Sequence, residues 1–346
     1  MDKQSLILNG SPLIGPDVVS VARKRLTVSI GDEALQRMQA SRSTVEKAAA
    51  SATPTYSINT GFGAMSTTSI SKDELAKLQM NLLRSHAAGV GDPLPQDVVR
   101  GMMVILAGSL CRGFSGVRPV VPELIVSLLN ANVTPVIPSR GSVGASGDLA
   151  PLAHLALVLC GEGKATLGDK EMPGKAAVAA AGLKPIVPSV KEGLALINGT
   201  HLMTSIATLA LGDIALICEA AVIATAMSID AAKATDTFLD DRLHAARGQS
   251  GQQTVAASIR SHLKNSTILP SHENDDVRVQ DPYSFRCSPQ VLGASIEAIA
   301  RITGTISAEL GAVTDNPLVF AKDDVIISGG NFHGMPLAIA MDELRI

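Results

Sequence analysis

The chain has 346 residues, of which 46% are hydrophobic and 18% charged. That apolar content is enough for a substantial core and excludes a disordered polypeptide. Its 30 glycines and 18 prolines follow no fixed period, which excludes collagen-like and low-complexity classes. A formal net charge of −3 gives no electrostatic ground for nucleic acid as a partner.

At roughly 150 residues per domain, the length suggests two domains. Aromatic residues are scarce: no Trp, 6 Phe and 2 Tyr. A core so poor in aromatics must be filled by Ala, Leu, Val, Ile and the 11 Met, which favours closely packed helices over a β-sandwich. Cys111, Cys160, Cys218 and Cys287 are far apart and form no CxxC, the pattern of reduced thiols in a cytoplasmic protein. The opening MDKQSLILNGSP lacks the apolar core and cleavage site of a signal peptide.

In chain order, residues 5–30 read as short strands and turns, with Asn9-Gly10 as a turn signal. Ser29 is a candidate N-cap for a helix running to about Ser51. Pro54 to Gly63 is a small-residue loop, followed by helices over about 72–88 and 95–114. Val117 to Gly147 is rich in Pro and Gly and holds one apolar run, Pro122 to Asn130. Leu149 to Cys160 is helical, and Gly161 to Pro188 reads as a surface excursion.

Leu194 to about Ala234 contains no proline and predicts one long helix, bent at Gly199 or Gly212. A membrane span is the rival reading. Asp213, Glu219 and Asp230 interrupt the run at intervals too short for a clean span, and a helix apolar nearly all round suits the centre of a bundle or oligomer. Residues 246–280 are polar and read as partly mobile. A second long helix runs from Ser288 to Leu310, then a loop at Thr314 to Pro317, a short strand and Gly turn over Val325 to Phe332, and a helix from about Pro336. These elements predict a mainly α fold, with a mixed domain over 1–190 and a long-helix domain over 191–346.

Chemistry concentrates at Gly141-Ser142-Val143-Gly144-Ala145-Ser146-Gly147-Asp148. The run lacks the Lys of a phosphate-binding GxxxxGK[ST] loop and does not fit GxGxxG. It also fails the GxSxG nucleophile elbow, because Asp148 stands two residues after Ser146. A flexible turn is one reading. The other is chemical: glycine has no Cβ, so the Gly147 nitrogen can approach the Ala145 carbonyl carbon. Ring closure there, with loss of two waters, one of them carrying the Ser146 hydroxyl, would leave an exocyclic methylidene, an electrophile that ordinary side chains do not offer.

The run GSVGASGDLAPLAH resembles the aromatic amino-acid ammonia-lyase family, most closely its histidine-specific members. YSINTGFG at 56–63, SHAAGVG at 85–91, INGT at 197–200, QDPYSFRCSPQVLGA at 280–294, TDNPLVF at 314–320 and SGGNFH at 328–333 extend the resemblance over nearly the whole chain. It implies a long-helix bundle of the fumarase/aspartase-like type. It also implies that Ala145, Ser146 and Gly147 mature into 4-methylidene-imidazol-5-one (MIO), with Asp148 assisting ring formation.

The remaining roles are carried over from the same motifs. Tyr56 is implied as the base removing the β-proton; a phenol of ordinary pKa about 10 needs a lowered pKa or a nearby cation for that work. Tyr283 is implied near the MIO ring as an assisting group. Arg286, three residues on, would share a face with Tyr283 in a helix and is implied to bind the substrate carboxylate. Asn198 and Gln280 are implied as polar contacts, Phe332 as the aromatic beside the ring, and Asn316 as part of the site wall. Ser85-His86 resembles the histidine enzymes, so His86 is expected to bond the substrate imidazole.

The implied reaction is non-oxidative elimination of ammonia from L-histidine to give urocanate in a cytoplasmic homotetramer with shared active sites. The alternatives are tyrosine or phenylalanine substrates, an aminomutase, or a silent fragment or partner subunit. His154, His201, His244, His262, His272 and His333 show no HExxH-like spacing, so no metal is expected. Three positions depart from the family pattern: Ser57 where a Gly is usual, His201 where Gln is frequent and Met335 where Glu is frequent. Family members also continue beyond Ile346 into a helical part carrying a glutamate implied in substrate contact.

Overall fold

The computed structural model describes residues 5–51, 53–55, 58–61, 72–272 and 278–346. The chain divides into two compact units. One comprises Met1–Leu209 with Ile306–Ile339, the other Ala210–Thr305 with Ala340–Ile346. Contacts therefore do not divide at residue 190, because two long helices each run from one unit into the other.

In the first unit, β1 (Leu6–Leu8) pairs in parallel with β2 (Val28–Ile30), Leu6 opposite Val28. Leu6 and Leu8 point into the core and Ile7 points out, the period of two that a one-sided strand requires. Residues 5–30 are not all strand and turn. α1 (Gly15–Arg23) lies between the two strands, with Pro16 in its first turn and Val18, Val21 and Ala22 buried, an i, i+3, i+4 stripe. α2 (Asp32–Ala50) follows Gly31 as N-cap. Ser29 is inside β2 and does not cap it.

The core is then assembled from α3 (Lys72–His86), β3 (Val90–Pro93), α4 (Gln96–Cys111) and α5 (Val120–Asn130). α4 is buried from Val99 to Cys111. Its Met102, Met103 and Leu106 are fully enclosed, each side chain contributing about 1.5–3 kcal/mol of burial. β4 (Val133–Pro135) and β5 (Pro138–Arg140) follow, β5 pairing antiparallel with β3. α6 (Leu149–Leu159) begins directly after Asp148. The expected surface excursion is ordered: β6 (Lys164–Leu167) and β7 (Lys170–Pro173) form a hairpin on β4, and α7 (Gly174–Ala180) buries Ala177 and Val178.

The single helix expected over 194–234 is two helices. α8 (Glu192–Ile197) ends at Asn198, and α9 (His201–Ala231) starts after Thr200. Asn198 is extended and Gly199 has φ +137°, a conformation open to glycine. Gly212 causes no interruption. By length and composition alone α9 could cross a membrane.

In the second unit the segment expected to be mobile is largely helical: α10 (Asp241–Arg247), α11 (Ser250–Leu263) and α12 (Ile268–Ser271). Asp240 caps α10 by accepting the Arg242 N–H. Val255, Ala256 and Ile259 of α11 pack with Val222, Ile229 and Phe238, so a polar sequence still carries a one-sided apolar stripe. α13 (Tyr283–Arg286) is a single turn, and α14 (Ser288–Leu310) carries the chain back to the first unit. There β8 (Leu318–Phe320) and β9 (Val325–Ile327) form a hairpin before α15 (Met335–Arg345).

Candidate active site

The segment between β5 and α6 is a tight turn of small residues. Gly144, Ser146 and Gly147 all lie in the left-handed region, at φ +71°, +60° and +75°. For Ser146 this costs on the order of 1–2 kcal/mol. Gly147 bridges to Gly144 and to Gly199. A Cβ on Gly147 would stand 2.1 Å from the Gly199 carbonyl oxygen, so only glycine fits.

Asp148 fastens this turn from below. Its N–H donates to the Gly199 carbonyl at 2.7 Å. One carboxyl oxygen accepts the Ser142 hydroxyl at 2.6 Å; the other accepts the N–H groups of Leu202 and Met203 at 2.8 and 3.0 Å. The side chain is fully buried. Burial pushes its pKa up to about 6, against the lowering effect of the three hydrogen bonds, with Glu309 adding to the rise.

The second wall is Asn198-Gly199-Thr200, the break between α8 and α9. Asn198 Nδ2 donates to Asp315 Oδ1 at 3.4 Å and to the Asn316 carbonyl at 3.3 Å. Asn316 Oδ1 accepts the Gly329 N–H at 2.7 Å, and the Gly334 N–H donates to the Gly144 carbonyl at 3.0 Å. GSVGASGD, INGT, TDNP and SGGNFH thus meet within the first unit. Phe332, two residues before Gly334, is half-buried.

His201 opens α9 against Gly199, and both its ring nitrogens lack a hydrogen-bond partner among the described residues. Burial drives its pKa down to about 4. His86 ends α3 with Nδ1 2.9 Å from the Leu82 carbonyl. A carbonyl only accepts, so Nδ1 is the donor in this contact. His154 Nε2 accepts the Gly89 N–H at 3.2 Å, tying α6 to the loop behind His86.

The second unit holds Gln280, Tyr283 and Arg286. The Arg286 guanidinium stacks on the Tyr283 ring, 5.3 Å from its centre. With its amide turned so that each atom meets a complementary partner, Gln280 accepts from Arg286 Nη2 at 2.8 Å and Nε at 3.3 Å. Both lie beside a cavity of about 580 Å³ that also touches Thr235, Asp281 and Gln290. Asp281 accepts the Thr235 N–H at 3.0 Å and holds the QDPY segment in place. Tyr56 and Ser57 lie outside the described residues.

Reading the sequence did not single out Ser142, His154, Lys191, Glu309 or Asp315. Lys191 carries no signal in the sequence, where with Glu192 it simply precedes the apolar run over 193–197.

A left-handed small-residue turn beside a buried carboxyl, on a mainly helical frame, is the feature around which the motifs of the first unit gather. The chain belongs to the aromatic amino acid lyase family, whose sequence pattern matches residues 14–346. It is 48% identical to a histidine ammonia-lyase from Treponema denticola, over all of this chain and 68% of that protein. It is 44% identical to one from Alkaliphilus metalliredigens, over 98% of this chain and 66% of that protein. The crystal structure of histidine ammonia-lyase from Trypanosoma cruzi matches with a TM-score of 0.89 at 38% identity, over 98% of this chain and 64% of that one. A tyrosine aminomutase from Streptomyces globisporus matches at 0.90 and 34%, over 98% and 67%. The chain spans about two thirds of the length of these curated relatives.

Proposed function

We propose that this chain carries the electrophile-forming and substrate-binding part of an enzyme that eliminates ammonia from L-histidine to give urocanate. The observation that carries this reading is the Ala145-Ser146-Gly147 turn. Its left-handed Ser146 and Gly147, and a cradle against Gly199 that a Cβ would fill, fit a backbone that condenses with itself. The MIO group so formed would supply the strong electrophile that turns an amine into a leaving group.

The residues of the chain do the rest. Asp148, kept partly protonated near neutrality by burial, can exchange a proton beside Gly147 during maturation. Arg286, splayed between Gln280 and the Tyr283 ring, presents a fork suited to the substrate carboxylate. His86 Nε2 accepts the N–H of a substrate imidazole. Asn198, Asn316 and Phe332 supply polar and aromatic contacts in the first unit and Gln280 stands beside Arg286 in the second; Tyr56 removes the β-proton and Tyr283 is an assisting group. The exposed Leu216, Ile217 and Met227 of α9 support burial against other copies in a cytoplasmic homotetramer with shared sites.

Intact-mass measurement with a histidine assay tests this. Loss of two waters lowers the mass by about 36 Da. A lighter chain that makes urocanate supports the reading; cinnamate or coumarate from phenylalanine or tyrosine, or a β-amino acid, replaces its substrate. An unshifted, inactive chain overturns it.

A further inference from the structure

The site has a second buried ionic element that none of the motifs above assigns. Lys191 and Asp315 form an ion pair with Nζ and Oδ2 2.6 Å apart, their side chains 0% and 3% exposed. Lys191 precedes α8 in a left-handed conformation, φ +73°. Its neighbour Glu192 is also buried but faces elsewhere, meeting Arg118 Nη2 at 2.7 Å. The Gly193 N–H donates to Gln79 Oε1 at 2.8 Å. Three consecutive residues thus fasten the start of a helix only six residues long, and that helix delivers Asn198.

The carboxyl of Asp315 is shared. Oδ2 takes the Lys191 ammonium, and Oδ1 takes the Asn198 amide at 3.4 Å and the Asn316 N–H at 2.6 Å. Asn198 Nδ2 therefore faces two groups that only accept, Oδ1 of Asp315 and the carbonyl of Asn316. The amide has one satisfactory orientation, with its oxygen turned away from Asp315. The next residue, Gly199, is the one on which Gly147 and Asp148 are seated.

We infer that the buried Lys191–Asp315 pair is a positioning device: it fixes the Asn198 amide and, through it, the Gly199 seat on which residues 145–147 condense. This rests on the proposed maturation of that triplet. Asp315→Asn is the direct probe. If its oxygen stays on Lys191, its NH2 group confronts two donors, the Asn198 amide and the Asn316 N–H, and Asn198 must turn over.

The readout is the fraction of chains lighter by about 36 Da, followed with time after synthesis, with thermal unfolding recorded for each variant. The wild type becomes fully light; if it does not, the triplet reading and this inference fall together. Asp315→Asn and Asn198→Ala are each expected to slow lightening at least threefold. The double variant is expected to be no slower than Asn198→Ala, because both changes act through one amide. Multiplying effects, or a folded Asp315→Asn that lightens at the wild-type rate, overturn the inference. Should Asp315→Asn fail to fold, Lys191→Met/Asp315→Leu removes both charges together, a replacement that buried pairs tolerate. Its slow lightening supports the inference, and wild-type lightening overturns it.

Discussion

Asp148 accepts the backbone N–H of Leu202 at 2.8 Å, so the carboxyl that follows Ala145-Ser146-Gly147 also caps the first turn of α9. Helix N-termini favour an anion, whereas full enclosure disfavours one. Burial is the larger effect here, since the pKa rises from the ordinary 3.8 to about 6. Next to Leu202 in the same cap, His201 is held neutral by burial, its pKa falling from 6.5 to about 4.

These two groups pull the pH dependence of stability in opposite directions. Between pH 4 and 6 the folded state binds the extra proton at Asp148, so this contribution falls as pH rises. Over 4 to 6.5 the unfolded state binds the extra proton at His201, so that contribution grows as pH rises. Each shift corresponds to about 3 kcal/mol. Denaturant unfolding from pH 4 to 7 should show Asp148→Asn gaining roughly that amount relative to the wild type, and His201→Gln losing it. Parallel stability curves for all three proteins would contradict both assignments.

Gly147→Ala places a methyl group 2.1 Å from the Gly199 carbonyl oxygen at φ +75°. Backbone stands on both sides, so the turn must leave Gly199. A chain that stays at its unprocessed mass and melts earlier is expected. Gly168→Ala is the control, since φ is +60° there and no atom lies within 4 Å. It should cost only about 1–2 kcal/mol of left-handed strain and process normally. Equal behaviour of the two variants would refute the steric argument.

His86→Phe removes the Nε2 acceptor and leaves an apolar ring of similar size. Loss of one hydrogen bond to the substrate imidazole is worth about 1–3 kcal/mol, or roughly 5- to 150-fold in kcat/KM on L-histidine. The mass shift should be unaffected, because His86 ends α3 and, among the described residues, bonds Leu82 and Ser85 rather than the 141–148 turn. Steady-state assays with L-histidine and L-phenylalanine settle the point; unchanged kcat/KM on L-histidine removes His86 from substrate recognition.

Much of the site was legible because its chemistry sits in contiguous motifs. Ala145-Ser146-Gly147 stands out for small side chains alone, and Arg286 for its spacing from Tyr283, which the one-turn helix α13 turns into a 5.3 Å stacking contact. The misreadings share a cause. α1 was hidden because nine residues with only three buried positions give a faint stripe. α11 was hidden because Gln, Ser and Thr fill its exposed face while Val255, Ala256 and Ile259 carry the packing. The break at Asn198 passed as a bend because α8 and α9 are apolar on both sides of it.

Residue types and their order determined a mainly helical chain with few aromatics and a triplet small enough to condense. Those are properties of side-chain volume and local backbone freedom, which a sequence states directly. Which polar groups meet was decided only by the tertiary structure. Lys191 and Asp315 are 124 positions apart and Ser142 needs Asp148 buried beside it. An amide or carboxyl acquires its orientation and proton affinity from whatever encloses it, and that enclosure comes into being only when distant segments pack.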